Sequence, residues 1–246
     1  EVGITPVGER VVEQAQRVLE EAARLRDIAK AAQDPLAGVL KLGVIYTIAP
    51  YLLPELIPVL RKRAPAMPLE IEENLTENLE AALKSGRIDV AVVALPFDSA
   101  GIVTEFLYEE PFDVVVPHGH KWAQRTSIGA GELAAEHAIL MNVGHCFRDQ
   151  VLGACPELNQ PDARIARTNS LETVRNMVAS GLGISVLPRD ALTPRYHSQL
   201  VTAVPFAPPV PLRRVALAYR KTFPRPAAVG VLRDAVARCR APSVDG

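Results

Sequence analysis

Apolar residues recur along the chain in distinct rhythms, and the changes of rhythm mark its elements. Between about Gly8 and Gln33 they fall at Val11, Ala15, Val18, Ala22, Leu25, Ala29 and Ala32, in steps of four and three with no proline between them. This is the 3.5-residue spacing of a coiled-coil seam, thinned by alanine. Glu13, Arg17, Glu20, Glu21, Arg24 and Arg26 occupy the other faces. The pattern predicts one long helix with a dimerisation stripe; an amphipathic helix docked on its own domain would show the same stripe. Asp34-Pro35 ends it, because proline pushes the residue before it out of helical conformation.

From Val39 onward, short apolar runs alternate with helical stretches. Val39–Ile45, Leu69–Glu73 and Ile88–Leu95 read as strands, Ala49–Arg61 and Thr76–Ser85 as helices between them. Strands alternating with helices predict a mostly parallel sheet whose ligands bind at the carboxyl ends of strands. Phe106–Pro117 reads as two extended runs broken at Pro111, where the chain is expected to cross into a second lobe. There a strand over Ala138–Met141, a helical segment from Cys146, a strand over Arg164–Thr168, a capped helix over Ser170–Gly181 and a strand over Gly183–Pro188 follow. Val201 to Pro211, with four prolines, reads as an irregular crossing; Arg214–Arg220 reads as a strand and Ala227–Arg240 as a closing helix. The expected architecture is α/β: two Rossmann-like lobes with a cleft between them, the pattern of a hinged binding protein. Residues 36–110 with 221–246 form the first lobe and 111–220 the second, preceded over 1–33 by a domain junction and linker helix.

A net charge of −1 gives no basic footprint for gripping DNA or an anionic membrane, so a nucleic-acid role would lie outside these residues. No run approaches the roughly 18 consecutive apolar residues of a membrane span. Three cysteines in 246 residues do not make the disulfide framework of a small secreted protein, and a cytoplasmic location is expected. The chain opens at Glu1 on the phrase ITPVG, which reads as the interior of a longer protein.

Chemistry concentrates at Cys146 and Cys155, nine positions apart, with His145 and Arg148 flanking the first. A cysteine is a redox nucleophile only as thiolate, a form favoured by a helix N-terminus and a neighbouring cation. A helix running from 146 to 155 would hold the two Cα atoms about 13 Å apart at 1.5 Å per residue, whereas a disulfide tolerates no more than about 7 Å. Oxidation would therefore have to remodel the segment. The plainer alternative is that both are small buried hydrophobes. Cys239, in the last helix, reads as a bystander. Thr47 follows a strand and precedes a helix, which suits a small polar ligand or, more simply, an N-cap; Thr76 stands equivalently after the next strand, so the two could face one crevice. His118 and His120 read as a plain loop, and no metal or cofactor is expected.

Gly144-His145-Cys146-Phe147-Arg148-Asp149-Gln150, with Cys155 following, resembles the redox loop of the peroxide-sensing members of the LysR-type transcriptional regulators. TIAPYLLP over Thr47–Pro54 and SLETVRNMVASGLGISVLP over Ser170–Pro188 look like that family too, and ITPVG resembles its junction between winged helix-turn-helix domain and linker helix. The resemblance implies a regulatory domain of periplasmic-binding-protein type, not an enzyme. It would be a homodimer here and a tetramer in the full protein, reaching DNA through the missing N-terminal domain, with RNA polymerase as a further partner. It also implies that hydrogen peroxide is the signal, Cys146 the peroxidatic cysteine and Cys155 the resolving one. Thr47, Thr76 and His145 would hold the peroxide, while Arg148, Asp149 and Arg220 would position the loop or stabilise charge. Two rivals remain: a LysR-type domain that binds a small metabolite, with incidental cysteines, and a thiol peroxidase, against which stands the absence of a C-x-x-C motif.

Overall fold

The computed structural model describes residues 5–12, 14, 15, 18, 22, 34–159, 165–196 and 198–240. Its elements run β1 (Leu40–Ile45), α1 (Ala49–Arg63), β2 (Leu69–Asn74), α2 (Thr76–Ser85), β3 (Val90–Leu95), β4 (Ile102–Pro117), β5 (Ala138–Met141), α3 (Cys146–Ala154), β6 (Ile165–Thr168), α4 (Leu171–Ala179), β7 (Ile184–Pro188), β8 (Val201–Pro205), β9 (Leu212–Arg220) and α5 (Pro226–Arg240). Positions 6–12, 14, 15, 18 and 22 are helical, with Val7, Val11, Val12 and Val18 exposed. The remainder of the expected linker helix lies outside the described residues.

Among the described residues the strands form one path, β2-β1-β3-β9-β4-β7-β5-β6, with β8 added to β4. β1 and β3 are almost wholly buried, as apolar strands covered on both faces must be, whereas β2 at the edge carries the polar run LEIEEN. α2 stops at Gly86, whose φ of 87° lets its N–H close on the carbonyls of Ala82 and Leu83. Two separate cores result. One surrounds Leu42, Leu56, Leu79, Val92, Leu217 and Leu232; the other surrounds Phe112, Val115, Ile139, Phe147, Leu158 and Val186.

The structure corrects the sequence reading in three places. The run through Pro111 is one strand of 16 residues: Ile102–Pro111 pairs with β9, and Phe112–Val115 then pairs with β7. Proline sits where the ladder changes partner, so the missing N–H does not interrupt it. Val201–Pro205 is not irregular but a strand antiparallel to β4. Finally β9, expected in the second lobe, pairs with β3 over Val90–Leu95 and belongs to the first sheet. The chain thus crosses between lobes along β4 and returns between β8 and β9, with the hinge where Glu110 and Pro111 face Arg213 and Leu212. This is the two-lobed fold of periplasmic-binding-protein type.

Around the hinge, side chains tie the lobes together. Tyr51 of α1 donates from its hydroxyl to Glu172 at 2.9 Å, and Tyr196 donates to the carbonyl of Pro50 at 2.7 Å. Arg240 of α5 pairs with Asp190 and donates to the Tyr108 hydroxyl at 2.8 Å. No helix among the described residues is long and apolar enough to cross a membrane.

Candidate redox site

Cys146 stands at the first turn of α3, reached from β5 through Asn142-Val143-Gly144. Gly144 has φ +96°, and a Cβ there would lie 3.3 Å from the Leu75 side chain, so both conformation and close approach favour glycine. That approach brings the second lobe against the carboxyl ends of β1 and β2 in the first. Thr47, Thr76, Gly144, His145 and Cys146 share the lining of one cavity of about 10 Å³. A cavity that size holds about one water-sized molecule, far below the several hundred cubic ångströms of an organic ligand site.

The donors around it are specific. The Thr47 hydroxyl accepts from Arg213 Nη1 at 2.8 Å and the Thr47 carbonyl from Nη2 at 3.0 Å. With an arginine N–H on its oxygen, that hydroxyl keeps its own proton to donate. It does not cap α1, whose N-cap is Ile48. Among the described residues the buried Thr76 hydroxyl has no hydrogen-bond partner, which leaves it free to bond a molecule in the cavity. His145 is 7% exposed; burial pushes its imidazole below the usual histidine range, against the opposing effect of Asn169, so the neutral ring is favoured.

The cation that serves this site is Arg213, which sequence reasoning missed. Its side chain is fully buried; Nε donates to Glu110 at 2.6 Å and the guanidinium lies 5.5 Å from the centre of the Phe147 ring. Burial works against its charge, yet Glu110 first, then Tyr108 and Cys146, drive it above the usual arginine range. Arg213 and the Cys146 sulfur are therefore electrostatically coupled. Burial, reinforced by Asp190 and opposed by Arg213, pushes Glu110 up to about 7.

Arg220, expected to serve the loop, is instead buried at the opposite ends of the parallel strands. It donates to the carbonyls of Leu83 and Ile88, the latter at 2.8 Å, and lies 3.7 Å from Asp89 just before β3. Seven residues along an extended strand separate it from Arg213, more than 20 Å. Arg148 and Asp149 pair with each other at 3.2 Å on α3, where Asp149 is largely exposed. The sequence signal for Arg213 was the pairing of Glu109-Glu110 with Arg213-Arg214 across adjacent strands, visible only once their register is known.

Cys155 closes the other end of α3, 1% exposed, with its N–H on the Val151 carbonyl at 2.8 Å. Burial, helped by Glu157, pushes its thiol up to about 11. Both cysteines are free, and the intervening residues are helical, so the rise per residue places their Cα atoms about 13 Å apart. Cys146 packs against the core of the first lobe, while Cys155 lies inside that of the second. A larger cavity of about 640 Å³ opens in the second lobe beside Arg175, Tyr196 and Thr202, and none of the expected site residues lines it.

Two threonine hydroxyls and a cysteine thus line a water-sized cavity between the two lobes, with a buried arginine bonded to one of the hydroxyls. The family model for the LysR substrate binding domain matches residues 33–240, and the chain belongs to the LysR-type family of transcriptional regulators. Within it, the chain is similar to OxyR. It is 36% identical over 220 residues to the DNA-binding transcriptional dual regulator OxyR of Escherichia coli K12, covering 89% of this chain and 72% of that protein. The reduced OxyR regulatory domain of Pseudomonas aeruginosa aligns with a TM-score of 0.78 at 47% identity, over 84% of this chain and 98% of that one. A Corynebacterium glutamicum OxyR variant with one cysteine replaced by serine, solved with hydrogen peroxide bound, aligns with a TM-score of 0.80 at 30% identity, over 96% of this chain and 74% of that one.

Proposed function

We propose that this chain is the sensor part of a hydrogen-peroxide-responsive transcriptional regulator, switched by a reversible Cys146–Cys155 disulfide. The observation that carries it is a cysteine opening on a cavity of about 10 Å³, ringed by hydroxyl donors and backed by Arg213. The space is of the order of a water molecule, so of the two candidate signals the two-oxygen peroxide suits it far better than a metabolite.

In the first step the Cys146 thiolate attacks one peroxide oxygen. The O–O bond breaks and its electron pair leaves on the distal oxygen as hydroxide, which takes a proton from solvent. Thr47 and Thr76 are placed to donate to the oxygen that gains charge, as preorganised dipoles do for any developing anion. In the second step the Cys155 sulfur attacks the Cys146 sulfenic acid, the S–O bond breaks, and the hydroxyl leaves with the Cys155 proton as water. Peroxide is reduced to two waters while two thiols become one disulfide.

The structural consequence follows from the helix. Cys155 cannot reach Cys146 with α3 intact, so closure unwinds it and draws Phe147 and Val151 out of the second core. That rearrangement moves the surface between lobes and, through the dimer and tetramer, changes the spacing of the DNA-binding domains, with RNA polymerase as a downstream partner. One peroxide is consumed per switch, which makes the domain a cytoplasmic sensor reset by cellular thiols rather than a peroxidase.

Thiol titration and intact-mass measurement after one equivalent of hydrogen peroxide test the chemistry. Loss of two thiols and two hydrogens, mapped to Cys146 and Cys155, is expected; a stable single-cysteine oxidation or a bridge to Cys239 would refute it.

A further inference from the structure

Glu110 faces Arg213 in the ladder between β4 and β9, and the two side chains are 2% and 0% exposed. An ion pair so buried costs much of what it gains in lost hydration, so stability alone is a weak reason for one. Its hydrogen bonds are nevertheless extensive. Glu110 Oε2 accepts from Arg213 Nε at 2.6 Å, and Oε1 accepts from the backbone N–H of Asp190 at 3.3 Å. Two further Arg213 nitrogens are committed to Thr47. Both branches end at the reactive cysteine: Thr47 lines its cavity, and the guanidinium covers Phe147, the next residue in the chain.

We propose that Glu110 is a positioning residue for the reaction of Cys146 with peroxide. It holds Arg213 in register with Thr47 and sets how much of the arginine's positive charge reaches the sulfur. This rests on the function proposed above.

Glu110 has no place in the cavity lining and acts through Arg213 alone. The ionisable groups facing it are Arg213 from β9, Asp190 from the turn after β7, Tyr108 on its own strand, and Arg240 from α5, which pairs with Asp190. Among the described residues, those facing Cys146 are Arg213 from β9, the neighbouring His145, and Tyr46, which lines the same cavity from the end of β1. When Glu110 is ionised, part of the Arg213 field is cancelled; when it is protonated, the field is left to the sulfur. Burial pushes the Glu110 carboxyl above the usual carboxylate range, so its proton is held to higher pH than on an exposed glutamate.

The test is the second-order rate constant of Cys146 oxidation by hydrogen peroxide between about pH 5 and about pH 9. Glu110→Gln leaves Arg213 uncancelled and moves the acid-side midpoint down by about half a unit or more, and Glu110→Asp, which keeps the carboxylate, brings it back towards wild type. A Glu110→Gln midpoint equal to wild type overturns the proposal, whatever the rate, since a merely structural role changes rate alone. A reciprocal measurement needs no Glu110 variant. Carbon-13 NMR of labelled glutamate follows the Glu110 titration in wild type and in Cys146→Ser, and linkage requires the loss of the thiolate to lower the Glu110 midpoint by a comparable amount. An unmoved midpoint overturns the proposal equally. If wild-type Cys146 fails to react with peroxide, the proposed function falls, while the Glu110 titration still decides the coupling.

Discussion

The two ends of α3 are nine residues apart and chemically opposite. At the first, Cys146 is half-buried against the first lobe, beside a cavity, two hydroxyls and a buried arginine. At the second, Cys155 lies inside the second core, and its thiol is pushed up to about 11. On the proposed function, the first end meets the oxidant and the second stays hidden from it until the helix opens. Reactivity and resolution are thus separated by secondary structure rather than by sequence distance.

Cysteine replacements separate the ends most sharply. Cys146→Ser abolishes peroxide-dependent thiol loss, whereas Cys155→Ser retains the first step and stops with one added oxygen at Cys146, as intact mass will show. Next come the two buried arginines of β9. Arg213→Met slows Cys146 oxidation by about ten- to a hundredfold, equal to losing about 1.4 to 2.8 kcal/mol of stabilisation. Arg220→Met leaves that rate within about twofold and lowers unfolding stability by about 1–3 kcal/mol, because the carbonyls of Leu83 and Ile88 lose the arginine's hydrogen bonds. Stopped-flow oxidation and urea unfolding on the same samples read both effects.

Much of this was legible in the chain. The two series of strands and helices and the remodelling conflict between Cys146 and Cys155 follow from periodicity and helix rise. Thr47 and Thr76 share a crevice because both follow parallel strands. What the chain did not disclose depends on register. Arg213 and Arg220 both sit on β9, and only pairing with β4 shows that the first meets Glu110 at the hinge while the second reaches the far edge. Pro111 looked like a break because its strand partners were unknown. Glu110 was invisible for the same reason: a carboxylate beside a proline carries no sign of the arginine across the ladder.

Smaller effects refine the contrast. Phe147 packs edge-on against Phe112 at 5.0 Å and lies under Arg213, so it holds the reactive end of α3 in the second core. Phe147→Leu is expected to cost about 1–2 kcal/mol in unfolding stability and to speed disulfide closure a few-fold, since less packing is lost when the helix opens. The smallest effect belongs to His145. Its folded pKa is depressed by burial, so the unfolded chain binds that proton first, and its contribution to stability is lost as pH falls below the ordinary histidine value of 6.5. Glu110, raised in the fold, acts in the opposite sense: its contribution is present at low pH and fades as pH rises towards about 7. His145→Gln should remove the first slope and leave the second, as urea unfolding across that range will report.

The central claim is that the disulfide forms only at the expense of α3. Hydrogen exchange of the amides from Asp149 to Cys155, measured before and after oxidation by one equivalent of peroxide, tests it most directly. In the reduced protein these amides are protected by helical bonds such as that from Cys155 to Val151. Loss of that protection together with the Cys146–Cys155 bond is the expected result. A disulfide formed with the α3 amides still protected would contradict it.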